Sequence, residues 1–486
     1  MLSSEPSSRY PSVVNEPYAI GIGYVYSVLE KAKYDVKVVV ASNEDEETSD
    51  KRFFETYNEF KPDIVGFSMF SSNRVSTFKT MEKLMALPRP PRMILGGIHP
   101  TVMYDQIIRK YPHVITVIGE GEVTVLELLK ALEEGHELET VKGIAFQKNG
   151  QVVLTGQRDL VQDLDSLPFP KHEAFFDPSP CRTTAVIMTS RGCPSRCTFC
   201  CLMVMSRGKS RKRSIHNTIE EIKYLKRKYP AINHIKMLDD TFLLDNARVI
   251  EFCKMAIAAD LGITFGCIAR VKPISSEMFD LMEKAGFVTI EFGLETGSPR
   301  MLKSIQKGIN QEDVTKLMKM VEPYKFVVNL LVMCGFPGET EETVHESVAF
   351  IQSLLKKHYA RVTAIGRLEI FPGTEVYETA KKAGAISDDY WLTDKRVPYY
   401  TVDHELPKLM EFENYILDRT SIRRAFTPNG LKHQFLKMPG PIIRHLLKHK
   451  NFIPHVAAWT VQCTFPRAYA GLKSVYSRVR TRPAKL

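Results

Sequence analysis

The stretch TTAVIMTSRGCPSRCTFC, residues 183–200, joins a short apolar run to a tight loop that carries three cysteines. The run at 184–189 reads as a buried strand, and it opens an alternating array. Strands are expected near 184–189, 234–238, 264–268, 288–292, 327–332 and 363–369, with helices such as 217–228 and 246–259 between them. Six βα repeats over this span predict a partial or complete barrel rather than an open sheet. Active residues of such a fold sit at the C-terminal ends of its strands, which is where the cysteine loop begins.

Upstream, apolar runs at 35–41, 63–69, 92–96 and 114–118 alternate with amphipathic stretches at 50–60, 75–86, 101–110 and 122–134. Continuous apolar strands separated by helices imply a parallel sheet covered on both faces, a Rossmann-like (flavodoxin-like) layer. A hairpin is expected from 143–147 and 151–154, because Asn149-Gly150 between them favours a type I′ turn. The Asp- and Pro-rich stretch that follows reads as a linker. The α/β chain therefore divides into 1–155, a linker 156–182, a (β/α)6 partial TIM barrel at 183–395, and a mostly helical basic region at 396–486.

At 486 residues the chain is too long for one ordinary core, and 44% hydrophobic with 25% charged residues is a globular balance. No apolar run approaches the ~18 to 20 residues that span a bilayer, and MLSSEPSSRYP offers no apolar core for a secretory signal. The net charge of +10 is concentrated at the C-terminus. Residues 421–486 hold thirteen Lys and Arg and no Asp or Glu, so the rest of the chain is near neutral. Ile442, Ile443, Leu446 and Leu447 fall at helical spacing beside Arg444, His445 and Lys448. That pattern suits shallow insertion at an anionic membrane surface, or else a helical subdomain packed on the barrel. Nucleic acid is a poorer partner, since no RNA-binding module is evident.

Nine cysteines, the first at Cys181, with four of them within nine positions, do not make a disulfide framework. Clustered thiols of this kind hold metal in a reducing, cytoplasmic compartment. Cys193, Cys197 and Cys200 are spaced C-x3-C-x2-C, and three thiolates in one loop can take three corners of a four-iron cluster, leaving one iron open. The alternatives are a zinc knuckle, for which no partner pair is visible, or reactive buried thiols. Cys201 points differently from Cys200 and reads as core or substrate-facing.

With the aromatic Phe199 before the last cysteine, this loop resembles the signature of radical S-adenosylmethionine (SAM) enzymes. MLDDTF (237–242), CIARV (267–271), FGLETGS (292–298), CGFPGET (334–340) and IFPGT (370–374) resemble that family in the same order. KPDIVGFS (61–68), LGGIHPT (95–101), IGEGE (118–122) and LDSLPFP (164–170) resemble the subgroup with a cobalamin-binding domain before the barrel. That subgroup includes class B methyltransferases and the anaerobic Mg-protoporphyrin monomethyl ester cyclases. The resemblance covers about residues 15–390.

The resemblance implies a [4Fe-4S] cluster on Cys193, Cys197 and Cys200 that chelates SAM. It places Gly293 and Glu295 at the end of the fourth barrel strand, with Glu295 accepting from the cofactor's amino or ribose groups. Arg270 would face the cofactor carboxylate, and Phe199 would lie beside the cofactor. Asp239 and Asp240 would bind cofactor or substrate, and Gly335, Phe336 and Pro337 would form a ledge for adenine. The blander readings are a helix cap for Asp240, a solvated strand-end charge for Glu295 and a structural ion pair for Arg270. Ser68, Gly96, Gly97 and Gly121 are the small strand-end residues that a corrin ring requires, although glycine also serves tight βα turns. The D-x-H-x2-G pattern of histidine-ligated cobalamin is absent, so His99 is expected as loop structure or a propionamide contact. The family's apolar first strand is reduced here to Met1 and Leu2, so either that strand is minimal or the start lies late.

The function this implies is a cobalamin-dependent radical SAM methyltransferase. A 5′-deoxyadenosyl radical would remove a hydrogen from an unactivated carbon, which takes a methyl group from methylcobalamin. A non-methylating cyclase or carbon–carbon coupling enzyme on a lipid or tetrapyrrole shares every motif. A methylthiotransferase lacks its second cysteine set here, and a non-enzymatic iron–sulfur module is the remaining rival. Expected partners are a small-molecule or lipid substrate and a flavodoxin or ferredoxin electron donor, with peripheral contact at the inner membrane face through the tail.

Overall fold

The computed structural model of the chain describes residues 2–3, 19–41, 46–175, 183–272, 274–357 and 360–420. Its first sheet holds β1 (Ile64–Ser68), β2 (Arg92–Gly96), β3 (Val114–Val117), β4 (Ile144–Lys148) and β5 (Gln151–Leu154) in that spatial order. β1 to β3 run parallel, while β4 and β5 add antiparallel. The hairpin forms because Asn149 and Gly150 both take positive φ, 52° and 78°, as a type I′ turn demands. Around this sheet lie α1 (Ile20–Lys31), α2 (Glu46–Phe60), α3 (Arg74–Met85), α4 (Ile98–Lys110) and α5 (Glu122–Glu134).

Residues 35–41 do not extend this sheet. Only Val40–Ala41 is strand, paired in parallel with Leu2–Ser3. The apolar run at 35–41 suits a strand, but among the described residues only its last two find a backbone partner.

The second sheet contains β6 (Thr184–Ile187), β7 (His234–Met237), β8 (Thr264–Ala269), β9 (Phe287–Glu295), β10 (Val327–Cys334) and β11 (Ala360–Arg367). All six are parallel and adjacent in chain order. Among the described residues β6 and β11 do not pair, so the barrel is partial. The helices are α6 (Leu202–Ser206), α7 (Ile215–Lys228), α8 (Asn246–Ala259), α9 (Ser276–Ala285), α10 (Pro299–Ser304), α11 (Gln311–Val321), α12 (Glu341–Lys357), α13 (Glu375–Lys382) and α14 (Leu406–Thr420).

Local sequence explains their ends. Ser214 caps α7 by accepting from the Asn217 N–H at 3.0 Å, and Asn310 with Asp313 makes a reciprocal capping box on α11. Under the barrel Phe242, Phe252, Phe265 and Phe287 pack edge-on or tilted, with centroids 5.3–6.1 Å apart. α14 covers β10, β11 and α12 through Leu409, Phe412 and Ile416. The basic tail at 421–486 lies outside the described residues. Among the described residues no helix is long and apolar enough to cross a membrane.

The two sheets are not beads on a string. One apolar cluster runs from Phe67 and Met81 of the first domain to Met301, Phe336 and Trp391 of the second. Part of the Asp- and Pro-rich segment is also packed. His172 is fully buried and its Nε2 lies 2.7 Å from Glu221 Oε1, while Arg213 pairs with the other carboxylate oxygen. Removing Glu221 leaves Arg213 charged and unpaired in the interior. Glu221→Ala is expected to cost roughly 3–5 kcal/mol, read as a lowered midpoint in denaturant unfolding.

Candidate functional site

The β6 strand ends one residue before Met188, and the chain then turns through Gly192 into the cysteine loop. Gly192 has φ +92°, and a Cβ there would stand 2.1 Å from the Lys209 carbonyl oxygen. Only glycine lets the loop close on itself. The Gly192 N–H donates to Asp240 Oδ2 at 2.7 Å. Cys193 and Cys197 are buried and Cys200 half-buried, all as free thiols. Burial pushes the Cys200 thiol up to about 12, with Cys201, Cys197 and Cys193 adding to it. A bound iron centre would hold these thiols as thiolates instead. Among the described residues no group of three or more His, Cys, Asp or Glu is drawn together around a single metal ion.

The residues expected around SAM gather on one side of this loop. Arg270, just past β8, places Nη1 3.6 Å from Cys197 Sγ, and its Nη2 donates to the Lys307 carbonyl. Lys307 Nζ lies 2.6 Å from Glu295 Oε1 and 5.9 Å from the Phe199 ring centre. Phe199 in turn packs on Phe336, centroids 5.5 Å apart. Glu295 takes φ +66° where β9 and β10 shift register. A Cβ at Gly293 would meet Glu295 Oε1 at 2.5 Å and Lys307 Nζ at 2.8 Å, so a side chain there would displace the ends of that ion pair. Arg270, Glu295 and Lys307 thus present a mixed-charge lining next to the cysteines, which suits a zwitterionic amino acid head group.

Beyond β10, Gly335 takes φ +87° and Pro337 is half-buried in the loop that follows. The Gly335 and Phe336 N–H groups both point to Glu339 Oε2. Glu339 is buried, which pushes its carboxyl from 4.5 up to about 7 against those two donors. A raised carboxyl favours the folded state below its unfolded value and loses that advantage as pH rises. Stability is expected to fall between pH 4.5 and about 7 on this account. Glu339→Gln should flatten that part of the profile, as followed by denaturant midpoints across pH.

On the other side of the loop lies a cavity of about 1670 Å³ between the two sheets. Ser68, Gly96, Gly97 and Gly121 all line it, as do Cys201 and Asp240 from the barrel. Ser68 and Gly96 are register partners at the C-terminal edges of β1 and β2. The cavity can take a large cofactor, and its small strand-end residues leave the space a corrin ring needs.

Two expectations change. Asp239 does not face this space. It is 1% exposed, and its carboxylate accepts from the Thr189 N–H, Thr189 Oγ1 and Ser190 Oγ at 2.5–2.6 Å. Its neighbour Asp240 faces the cavity because successive residues at a strand end point to opposite sides. His99 is neither loop nor cavity wall. It sits in the first turn of α4, 1% exposed, with Nδ1 2.9 Å from Ser71 Oγ and its ring edge-on to Trp391. Burial and then Arg74 push it down to about 3, so it stays neutral. Lys307 and Glu339 were not singled out from sequence. The only available signal for Lys307 was a lysine followed by glycine between apolar residues.

Residues 187–351 match the radical SAM superfamily, and residues 11–129 match the B12 binding domain. An uncharacterized methyltransferase of Pyrococcus horikoshii is 29% identical over 464 residues, 94% of this chain and 94% of that protein. The anaerobic magnesium-protoporphyrin IX monomethyl ester cyclase of Rubrivivax gelatinosus is 27% identical over 338 residues, 67% of this chain and 60% of the cyclase. Among solved structures, the cobalamin-dependent S-adenosylmethionine radical enzyme OxsB, with aqua-cobalamin and S-adenosylmethionine bound, is similar in fold. Its TM-score is 0.67 at 18% identity, covering 99% of this chain and 75% of that one.

Proposed function

Because the chain belongs to the cobalamin-binding radical SAM enzymes and takes a [4Fe-4S] cluster, SAM and cobalamin, we propose that it is a methyltransferase acting on an unactivated carbon. When bound, the cluster and SAM supply a reductively generated carbon radical, and the cobalamin supplies the methyl group. The observation that carries the reading is the shared wall. One face of the 1670 Å³ cavity is built by the strand ends of the B12 domain and the other by the cysteine loop and Asp240. The cavity therefore reaches the flank of the cysteine loop at Gly192 and Cys201, which would bring the two cofactors to one boundary.

The chain's own residues orient and exclude. Cys193, Cys197 and Cys200 would hold the cluster. Arg270, Lys307 and Glu295 would fix the amino acid end of SAM, and Phe199 with the loop at Gly335–Pro337 would close over its nucleoside. Ser68, Gly96, Gly97 and Gly121 would admit the corrin. The apolar part of the cavity wall would help to keep water from a radical. A small-molecule or lipid substrate fits that lining, and a one-electron donor of the flavodoxin or ferredoxin kind would be needed. The full-length similarity to a protein named as a methyltransferase favours methyl transfer over cyclisation.

The test is anaerobic incubation of the loaded, reduced protein with SAM and extracts of a deletion strain. Methyl transfer predicts 5′-deoxyadenosine and S-adenosylhomocysteine together, with a product heavier by one methylene unit. Substrate consumption without S-adenosylhomocysteine or that mass gain would reject it.

A further inference from the structure

Four charges, Glu122 and Arg211 buried and Glu120 and Arg191 partly buried, meet at the boundary between the two domains, and the cofactor chemistry uses none of them. Arg191 and Arg211 are register partners in a two-residue antiparallel pairing, Arg211 opposite Arg191 and Lys212 opposite Ser190. That pairing ties together the two ends of the segment that contains all three cluster cysteines and α6. Facing it from the B12 domain is the IGEGE turn after β3. Glu120 accepts both prongs of Arg211 at 2.8 Å and one from Arg191 at 3.1 Å, and Glu122 accepts from Arg191 at 2.6 Å. The linker joins the same knot. The Val161 N–H donates to Glu120 Oε2 at 2.9 Å, and the Val161 carbonyl accepts from Arg211 at 2.7 Å. Tyr24 of α1 lies under Arg191, 4.7 Å from ring centre to guanidinium.

We propose that Glu120, Glu122, Arg191 and Arg211 form a positioning latch that fixes the cysteine loop against the cobalamin cavity and so sets the gap the methyl group must cross. The latch rests on the function proposed above, because the gap matters only if both cofactors work on one substrate. All four residues line the cavity, so the contact that joins the domains is part of the wall between the cofactors. Two carboxylates balance two guanidiniums, so the knot is neutral as a whole. Burial opposes ionisation of Glu120, yet Arg211, Arg191 and the Val161 N–H hold its carboxyl below the ordinary range. Forked Arg–carboxylate bonds resist both sliding and rotation, and a 1 Å error in the placement of reacting groups is costly. Ion pairs on an ordinary surface do neither.

Hydrogen exchange on the full chain, free of cofactors, tests the latch without any turnover. In Glu120→Gln or Arg211→Gln, amides of 190–212 should exchange roughly tenfold faster, while those of β8 and β9 stay as in wild type. Glu120→Gln leaves Arg211 charged and unpaired, so the double variant, in which Arg191 and Glu122 still balance, serves if the single one fails to fold. After reconstitution, both variants are compared with wild type at equal iron and cobalamin occupancy. Their spin–spin interaction between cob(II)alamin and the reduced cluster should weaken, and Arg211→Lys should fall between. Unchanged exchange in 190–212 together with an unchanged spin interaction would overturn the latch. A wild-type protein that failed to retain cobalamin or iron would overturn the proposed function instead, while the exchange experiment would still decide the latch.

Discussion

Cys197→Ala, reconstituted anaerobically with iron and sulfide, loses the cluster's visible absorbance and forms no 5′-deoxyadenosine from SAM. The expected drop is from roughly four irons per chain to near none. On the proposed reading three thiolates would be the full protein ligand set, because the fourth iron must stay open to chelate SAM. Two remaining cysteines cannot hold a cube against competing water and buffer thiols. Cys197 Sγ also lies 3.6 Å from Arg270 Nη1, so its loss removes one hydrogen-bond acceptor of the guanidinium expected to face SAM. Cys201→Ala is the matched control. Cys201 turns to the cavity wall, so its removal should leave iron content and absorbance unchanged. A Cys197→Ala protein with full iron and intact SAM cleavage would mean the cluster is held elsewhere.

The cysteine loop stands out in the sequence because a cluster that draws its ligands from one short segment would write its chemistry in local spacing. The barrel strands were legible for a similar reason: parallel strands covered on both faces are continuous apolar runs. Residues 35–41 looked alike, but whether a run becomes a strand depends on a partner, and among the described residues only Val40 and Ala41 have one. At the tip of β7 the choice between Asp239 and Asp240 turned on which side each residue faces, which a one-residue difference reverses. Lys307 and Glu295 are twelve residues apart, and Glu120 and Arg211 are ninety-one apart. Such pairs exist only once both sheets are folded, and no periodicity encodes them. His99, expected as loop structure or a propionamide contact, is a packing residue among Trp391, Ser71 and Arg74, an environment that no local spacing encodes.

Gly97→Val is expected to abolish cobalamin retention while the cluster still assembles. Gly97 takes φ +104°, where any side chain is strained, and a Cβ there would lie 2.6 Å from the Met69 carbonyl oxygen and 3.1 Å from its nitrogen. That carbonyl also accepts the His99 N–H at 3.3 Å, and the Met69 N–H donates to the Gly96 carbonyl at 2.7 Å. These bonds hold the ends of β1 and β2 side by side at the cavity mouth. A valine must push them apart, costing about 1–3 kcal/mol for the backbone alone and moving Ser68 and Gly96 with it. The cysteine loop hangs from β6 in the other sheet, so iron content should stay at the wild-type level. Gly156→Ala, with nothing within 4 Å of the added carbon, controls for glycine replacement as such. Cobalamin retention in Gly97→Val below about a tenth of wild type corresponds to at least 1.4 kcal/mol of lost binding. Full retention would place the corrin away from the strand ends, and the shared-wall geometry on which methyl transfer depends would go with it.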